Sequence, residues 1–176
     1  MDIQDKALLY KELKDLPPKS DKQELKEINW ADEYDKIKEE NSKITYTNEF
    51  HLDDKYYKKN LAELTKTKGI SKGENPIESK EIDDYKFFLS VCKDLNIEPY
   101  IILLPVNERY YDYVELPKDK RDAYYDKVEK IAEDNQIEVL NLKEYGDKDG
   151  FLIDPKHLGN EGWLKVSEEI YKHFNK

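Results

Sequence analysis

Apolar residues recur at helical spacing in several stretches of the chain, and each such stretch predicts an amphipathic helix. Two of them, residues 2–15 and 21–41, flank Pro17-Pro18, which ends the first helix. Neither carries candidate chemistry, so residues 1–42 are expected to form a helical packing or spacer segment. The remaining predicted helices are residues 53–64, capped by Asp53 or Asp54, residues 79–95, the stretch that follows Pro117, and residues 159–174.

Two other runs have the character of β-strands. Residues 100–104 are an unbroken apolar run ended by Pro105, which fits a buried central strand. Residues 137–142 alternate between apolar and polar positions and predict a second strand. Residues 44–46 are a weaker strand candidate, and residues 65–75, with two glycines among lysines and serines, predict an exposed loop.

Helices and strands alternate from residue 79 onward, which is typical of an α/β fold with a parallel sheet. Two strands cannot form a stable open sheet of this kind. The second half of the chain therefore predicts the end of a doubly wound fold whose earlier strands are missing or come from elsewhere. Residues 43–176 are accordingly expected to be the C-terminal part of one α/β domain. The helical segment, residues 1–42, is expected to belong to the same single domain.

Composition narrows the classes of function. The 176 residues include 40 acidic and 30 basic side chains, for a formal net charge of −10. Because no basic stripe interrupts this charge, we expect neither sequence-independent nucleic-acid binding nor a basic membrane-binding patch. Fourteen Tyr, five Phe and two Trp supply enough large apolar area to favour a folded domain over a disordered chain.

The chain has no apolar run approaching the roughly 18 to 20 residues of a membrane helix, and its start lacks the pattern of a signal peptide. As written, it is expected to be soluble. The lone Cys92 offers neither a disulfide nor a metal cluster, which fits the cytosol or an outer bacterial surface. We predict no metal and no cofactor. His51, Asp154 and His157 could supply metal ligands in principle, but His51 lies in an unrelated polar segment.

Candidate chemistry lies after the two predicted strands, since ligands of parallel α/β sheets bind beyond the carboxyl ends of the strands. Pro105-Val106-Asn107 follows the first strand, and residues 143–157 follow the second. The second loop contains Asp154-Pro155-Lys156-His157, a good type I turn with Asp first and Pro second. Such a turn brings its first and fourth α-carbons within about 7 Å. The Asp carboxylate can then orient the imidazole, as in a Ser–His–Asp site.

An ordinary turn with an exposed histidine is the competing interpretation, and the short pattern alone favours it. The context favours a site: a strand, a long loop, the Asp-x-x-His turn, and then Gly-Asn-Glu-Gly-Trp opening a helix. In that helix Gly159 or Asn160 is expected at the start, and Gly162 is expected to leave room near the loop.

A nucleophile is harder to find. Ser71 lies in a Gly-x-Ser-x-Gly match, and Ser71, Asp154 and His157 follow the α/β-hydrolase order. A nucleophile elbow needs an apolar strand before it and a helix after it, and the flanking residues are polar, so we do not expect Ser71 to be catalytic. His173 is more simply a favourable charge at a helix C-terminus. Residues 110–113 could stack on sugars, although packing is the favoured interpretation.

The Asp-x-x-His block resembles the last block of the SGNH (GDSL-type) hydrolase superfamily, in which an Asp and a His three residues later complete the triad. Together with three other stretches it resembles, more narrowly, the C-terminal region of the DltD family, over roughly residues 30–174. The four stretches are Thr47-Asn48-Glu49-Phe50 with residues 53–57, the helix of residues 79–89, Leu103-Leu104-Pro105-Val106-Asn107 with Tyr110-Tyr111-Asp112-Tyr113, and residues 154–163.

The resemblance implies a three-layer α/β/α domain in a membrane-anchored protein, placed outside the cell and acting in D-alanine transfer to lipoteichoic acid. Its implied partners are the teichoic-acid acceptor and a D-alanyl donor, either a carrier protein or a membrane partner. Asp154 and His157 match the triad Asp and His. Asn107 matches the Asn of the Pro-Val-Asn segment. It either positions substrate or forms a turn or caps the strand, and the sequence favours neither interpretation.

The departure from the family is large, because its membrane helix and serine block have no counterpart in these 176 residues. A His without its nucleophile cannot form an acyl-enzyme, so this chain alone is expected to be inactive. The alternative is a freestanding binding or scaffold protein that kept half of an ancestral site. The acidic charge would also repel a polyanionic acceptor at long range, although salt screens this beyond about 8 to 10 Å.

Overall fold

The computed structural model describes residues 3–14 and 27–175. Its elements are α1 (Ile3–Lys14), α2 (Trp30–Asn41), α3 (Asp54–Lys66), α4 (Lys80–Asp94), β1 (Ile101–Leu103), α5 (Glu108–Tyr113), α6 (Lys118–Asp134), β2 (Val139–Asn141) and α7 (Asn160–Phe174), with 3₁₀ segments at Pro76–Glu78 and Lys143–Tyr145.

β1 and β2 pair in parallel, with Ile102 opposite Leu140. Helices and strands alternate from α4 to α7, so the predicted α/β class is confirmed. Both strands are shorter than predicted. The prediction of a buried central strand is wrong for β1, because every residue of β1 and β2 is only half-buried. The reason is that each strand has one strand partner within the described residues, which leaves each with an unpaired edge.

The N-terminal helices follow the prediction only in part. α1 is helical as expected, although Ala7 and Leu8 on its predicted apolar face are exposed. α2 begins at Trp30, because the side chain of Asn29 accepts a hydrogen bond from the Asp32 amide and caps the helix. Residues 27–29 are therefore not helical, and the predicted helical residues 21–26 lie outside the described part.

α2 packs along α7. The Trp30 ring meets the Tyr171 ring edge-on at 5.6 Å between centroids, and the Tyr34 hydroxyl donates to Glu168 at 2.9 Å. The N-terminal segment thus covers one flank of the last helix.

The strand predicted at residues 44–46 is absent, because the segment bonds to a side chain instead of to a neighbouring strand. Asp54 accepts hydrogen bonds from the hydroxyls of Thr45 and Thr47 at 2.6 and 2.9 Å, and from the Thr47 amide at 3.0 Å. Asp53 caps α3 by accepting from the Lys55 amide at 2.7 Å. Both predicted aspartates are thus used, and only Asp53 is the cap.

Two apolar clusters flank the loops that follow the strands. One lies under the last loop and α7, and comprises Leu142, Phe151, Leu152, Leu158 and Val166. The other joins the segment before α3 to α5, and comprises Phe50, Leu52 and Leu64 with Tyr56, Tyr57, Tyr110 and Tyr113 packed on them. The residues with candidate chemistry lie in the loops between these clusters.

Candidate active site

The Asp154 to His157 turn is the tip of a small hairpin, residues 152–158. Leu152 and Leu158 form an antiparallel bridge at its root, and the Ile153 amide donates to the His157 carbonyl at 2.9 Å. Both leucines are buried in the core, while the tip is open to solvent. The hairpin therefore presents a polar tip on an apolar base.

Two glycines let α7 approach this hairpin closely. A Cβ on Gly162 would lie 2.5 Å from the Phe151 carbonyl oxygen, and one on Gly159 would lie 2.6 Å from the Gly150 carbonyl oxygen. Gly159 is the N-cap of α7, and its amide donates to the Phe151 carbonyl at 2.8 Å. The predicted room at Gly162 and the predicted helix start are both confirmed.

Asp154 and His157 meet as the turn geometry predicts. His157 Nδ1 lies 2.7 Å from Asp154 Oδ2, while Asp154 Oδ1 accepts the amides of Lys156 and His157, each at 2.9 Å. Partial burial would by itself raise the pKa of Asp154, but these hydrogen bonds outweigh it and hold the pKa below its usual value. The carboxylate is therefore ionised near neutral pH and fixed in orientation.

The imidazole is accessible while its carboxylate partner is covered. The His157 side chain is 65% exposed, against 18% for Asp154. With Nδ1 donating to the carboxylate, Nε2 carries the lone pair and is the nitrogen that can accept a proton from an incoming group. The arrangement can support general base and then general acid catalysis.

Asn107 ties three segments together beside this turn. Its backbone amide donates to the Pro155 carbonyl at 2.9 Å, so the two loops that follow β1 and β2 meet as predicted. Its side-chain Nδ2 donates to the Phe50 carbonyl at 2.9 Å, and its Oδ1 accepts the Tyr110 amide at 2.8 Å. At 5% exposure, Asn107 caps α5 and fastens the loops. Its contact with substrate stays a prediction.

Two of the tyrosines of α5 serve in packing. The Phe50 ring meets those of Tyr110 and Tyr113 edge-on, at 5.4 and 5.1 Å. The Tyr110 hydroxyl lies 2.8 Å from Thr67 Oγ1, and the Tyr113 hydroxyl donates to the Thr65 carbonyl at 3.0 Å. This supports the packing interpretation of these two rings.

Sequence reasoning gave two tyrosines, Tyr56 and Tyr111, no link to the Asp154 carboxylate. Burial and then the Tyr110 phenol raise the pKa of Tyr111, and the negative charge of Asp154 adds to the increase. Burial and then Asp154 likewise raise the pKa of Tyr56. Both phenols thus lie within electrostatic reach of the turn, on α5 and α3. The sequence singled out Tyr111 only as part of residues 110–113, and nothing in it linked either tyrosine to Asp154.

Sequence reasoning also missed Arg121, which is 5% exposed. Its Nη1 donates to Asp112 and to the Leu116 carbonyl, both at 2.6 Å, and so holds the end of α5 against α6. Its spacing of four and seven residues from the buried Tyr125 and Val128 was the available signal, since it places the arginine on the inward face of α6.

The remaining candidates do not join the site as catalytic groups. Ser71 follows α3, a helix, where a nucleophile elbow needs a strand, and its amide donates to the Val114 carbonyl. His51 Nδ1 lies 3.1 Å from Asp149, in a pair of its own.

In the described ranges, no group of three or more His, Cys, Asp or Glu side chains could hold a metal ion. The His173 ring stacks on Tyr100 at 4.0 Å, and Cys92 is buried.

A family model described as DltD protein matches residues 1–175. This chain belongs to the DltD family. The resemblance seen in the four sequence stretches is thereby confirmed.

Curated DltD relatives place the chain within that family. Protein DltD of Bacillus subtilis is 33% identical over 154 residues, which cover 85% of this chain and 39% of the relative. Protein DltD of Staphylococcus aureus is 24% identical over 147 residues, covering 84% and 37%. The chain thus spans about two fifths of the length of these DltD relatives. Among residues 3–14 and 27–175, no helix has the length and apolarity to cross a membrane.

Proposed function

We propose that this chain is the C-terminal part of a DltD-type SGNH acyltransferase that acts in D-alanylation of lipoteichoic acid. The observation that carries the proposal is the Asp154–His157 pair, with Nδ1 held at 2.7 Å from the carboxylate and the ring largely exposed. Membership of the DltD family supplies the context. In this proposal residues 43–176 are part of a three-layer α/β/α domain on the outer face of the cell membrane.

The proposed reaction has two half-reactions, and the nucleophilic Ser lies outside this chain. In the first, His157 Nε2 takes the Ser hydroxyl proton while the Ser oxygen bonds to the D-alanyl carbonyl carbon. The bond from that carbon to the donor's sulfur or oxygen then breaks, and the leaving group takes the proton from His157. The product is a D-alanyl ester of the Ser.

In the second half-reaction, a teichoic-acid hydroxyl gives its proton to His157 and attacks the same carbonyl carbon. The bond to the Ser oxygen breaks, and the Ser recovers its proton from His157. Asp154 stabilises the imidazolium in both halves and keeps Nε2 facing the reacting group. Asn107 holds the first loop against the turn, and in this proposal it also contacts the substrate.

The decisive experiment is a chimera in which this chain replaces the matched stretch of the Bacillus subtilis relative. We expect the chimera to restore D-alanine ester on teichoic acid in a strain that lacks its own copy, and His157→Ala to abolish that restoration. His51→Asn is the matched control, since His51 also bonds a carboxylate through Nδ1 but has no role in the proposed reaction.

Two outcomes would contradict the proposal. If the His157→Ala chimera restores D-alanine as fully as the parent chimera, the Asp–His pair is not catalytic, and a scaffold protein with a relict site is the better reading. If the isolated chain hydrolyses p-nitrophenyl acetate in a reaction that His157→Ala abolishes, then a nucleophile exists within these 176 residues.

A further inference from the structure

The segment formed by α3 and the turn after it concentrates lysines in an otherwise acidic chain. Residues 55–72 contain six lysines and one acidic residue, Glu63, for a formal charge of +5, whereas the whole chain has −10. All six lysines are exposed. No basic stripe is evident along the linear sequence, because these lysines alternate with other residues. Helical spacing nevertheless gathers four of them on one surface.

These four lysines share one side of α3. Lys58, Lys59 and Lys66 follow Lys55 by three, four and eleven residues, and such spacings return to the same side of a helix. The opposite side buries Leu64 in an apolar cluster. The four lysines are called the basic face below. It extends along roughly 16 Å of helix, at about 1.5 Å per residue.

Few carboxylates neutralise the basic face. Lys66 pairs with Glu63 at 2.7 Å. In the part of the chain that the structure describes, the other three lysines of the face form no ion pair. The Asp54 carboxylate, at the start of α3, instead accepts hydrogen bonds from two threonine hydroxyls and an asparagine amide of the preceding loop. Most of the positive charge is therefore available to an anionic ligand.

Packing fixes the start of α3 beside the Asp154 to His157 turn. Tyr56, in the first turn of α3, packs on Phe50 and its cluster. The Phe50 carbonyl accepts the Asn107 side chain at 2.9 Å, and the Asn107 backbone amide donates to the Pro155 carbonyl at the same distance. The basic face therefore begins near the proposed catalytic pair.

Positive side chains lie on both sides of Tyr56. Lys55 precedes it on α3 and Lys59 follows one turn later. On its other side the Asp154 carboxylate is within electrostatic reach, and this charge adds to burial in raising the pKa of Tyr56. Lys156, in the turn itself, is also exposed. An anion that contacts the basic face thus meets a further lysine next to the histidine.

We propose that the basic face of α3, together with Lys156, binds the polyanionic acceptor through its phosphodiester groups and so brings an acceptor hydroxyl to His157. The inference rests on the proposed function, because that function requires a polyanion to reach this turn. Charge complementarity supports it. At physiological salt, charges act over about 8 Å, so a bound polymer responds to the lysines beside it more than to the net charge of −10.

The same surface distinguishes the acceptor from the product. Each D-alanyl ester adds an ammonium group to the polymer and offsets the charge of one phosphate. The modified polymer is therefore held less tightly by lysines, which favours its release after transfer.

The test is a binding titration of the chimera described above, purified in non-ionic detergent. The probe is the glycerol phosphate polymer of lipoteichoic acid, freed of acyl and D-alanyl groups by alkali and labelled at one end for fluorescence anisotropy. We expect saturable binding that weakens with added salt, because contacts with phosphates release counterions. Polymer that retains its D-alanyl esters should compete several times less well for the same surface.

The double variant Lys55→Gln with Lys59→Gln should weaken polymer binding about fivefold or more and reduce its salt dependence, since two phosphate contacts are lost. Lys86→Gln with Lys93→Gln is the matched control, because it removes two exposed lysine charges from α4. Circular dichroism and the melting temperature establish that both double variants fold like the parent.

Four results would overturn the acceptor surface. They are an absence of saturable binding, equal affinities of the α3 and α4 double variants, equal competition by the two forms of the polymer, and an α3 variant that loses binding to phosphatidylglycerol vesicles while its affinity for the polymer is unchanged. The last result would make the basic face a membrane contact.

The proposed catalysis is tested separately. The His157→Ala chimera should bind the polymer like the parent chimera, because the lysines are intact, while it fails to restore D-alanine ester. A failure of the acceptor surface is thus distinguishable from a failure of the proposed catalysis: the first appears as binding that does not depend on the lysines, and the second as transfer that does not depend on His157.

Discussion

The part of the chain that the structure describes contains two aspartate–histidine pairs, and the chain holds them differently. In Asp154–His157 the partners are three residues apart, and the carboxylate also accepts two backbone amides. In His51–Asp149 the partners are 98 residues apart, and both side chains are substantially exposed. His51 also has a positive φ of 51°, so its backbone is in the left-handed region.

The difference separates an oriented pair from a surface contact. Asp154 keeps its position through a turn on a buried hairpin root, so its bond to the ring costs little additional ordering. The bond from His51 to Asp149 must hold two separate exposed segments together, and such pairs contribute little. Identical donor and acceptor atoms therefore do not make equivalent sites.

The largest effect is expected from the packing beneath the first pair. Gly162→Ala places a methyl group 2.5 Å from the Phe151 carbonyl oxygen and close to Leu158. We expect it to lower the free energy of unfolding by about 1–3 kcal/mol, measured by urea denaturation, because the hairpin root must shift. Ser167→Ala, at an exposed position of the same helix, should change it by less than about 0.5 kcal/mol. Equal effects of the two substitutions would show that α7 tolerates a side chain at this contact.

Asn107→Ala tests the junction between the loops that follow β1 and β2. It removes the cap of α5 and leaves the buried Phe50 carbonyl without its side-chain donor. We expect a loss of about 1–3 kcal/mol in urea unfolding. Asn60→Ala is the control, since the Asn60 side chain donates to the Tyr56 carbonyl within its own helix. A loss no larger than that of Asn60→Ala would mean that the junction holds without the amide.

The next largest loss in the free energy of unfolding is expected when the two aspartate–histidine pairs are compared directly. Asp154→Ala removes three hydrogen bonds to a mostly covered carboxylate, and we expect it to cost about 1–2 kcal/mol. Asp149→Ala should cost less than about 0.5 kcal/mol, because both partners are exposed to solvent. Thermal unfolding of the two variants under one buffer gives the ranking, and the reverse order would refute the distinction drawn between the pairs.

The smallest effect is a pH dependence that Asp154→Asn isolates. The pKa of Asp154 is lowered in the folded state, so its ionised form stabilises the fold above the unfolded value of about 3.9. The contribution of the Asp154 carboxylate to the difference in unfolding free energy between the parent and Asp154→Asn should be fully present above that unfolded value. It should shrink as pH falls below about 4, through the lower folded pKa. A difference that grows on acidification would mean that the pKa is raised instead.

Local pattern was sufficient for much of the fold and for the pair itself. The turn Asp154-Pro155-Lys156-His157 and the helix start at Gly159 depend on neighbours in sequence, and both were predictable. The strand predicted at residues 44–46 failed because its backbone groups bond to other segments: the Ile44 amide donates to the Asn41 carbonyl, and the Thr45 carbonyl accepts from the Asp54 amide. β1 was expected to be buried because its apolar run is typical of a covered strand, but residues 3–14 and 27–175 supply one strand partner to it.

The sequence by itself determined the helix–strand alternation and the Asp–His turn, because each depends on residues close together in the chain, and four separate stretches together indicated the DltD family. Only the tertiary structure decided what surrounds the turn. The bond from the Asn107 side chain to the Phe50 carbonyl joins residues that are distant in sequence, and the packing of α7 leaves Trp163 and Phe174 exposed. Such contacts are set by how the elements pack, and no local spacing encodes them.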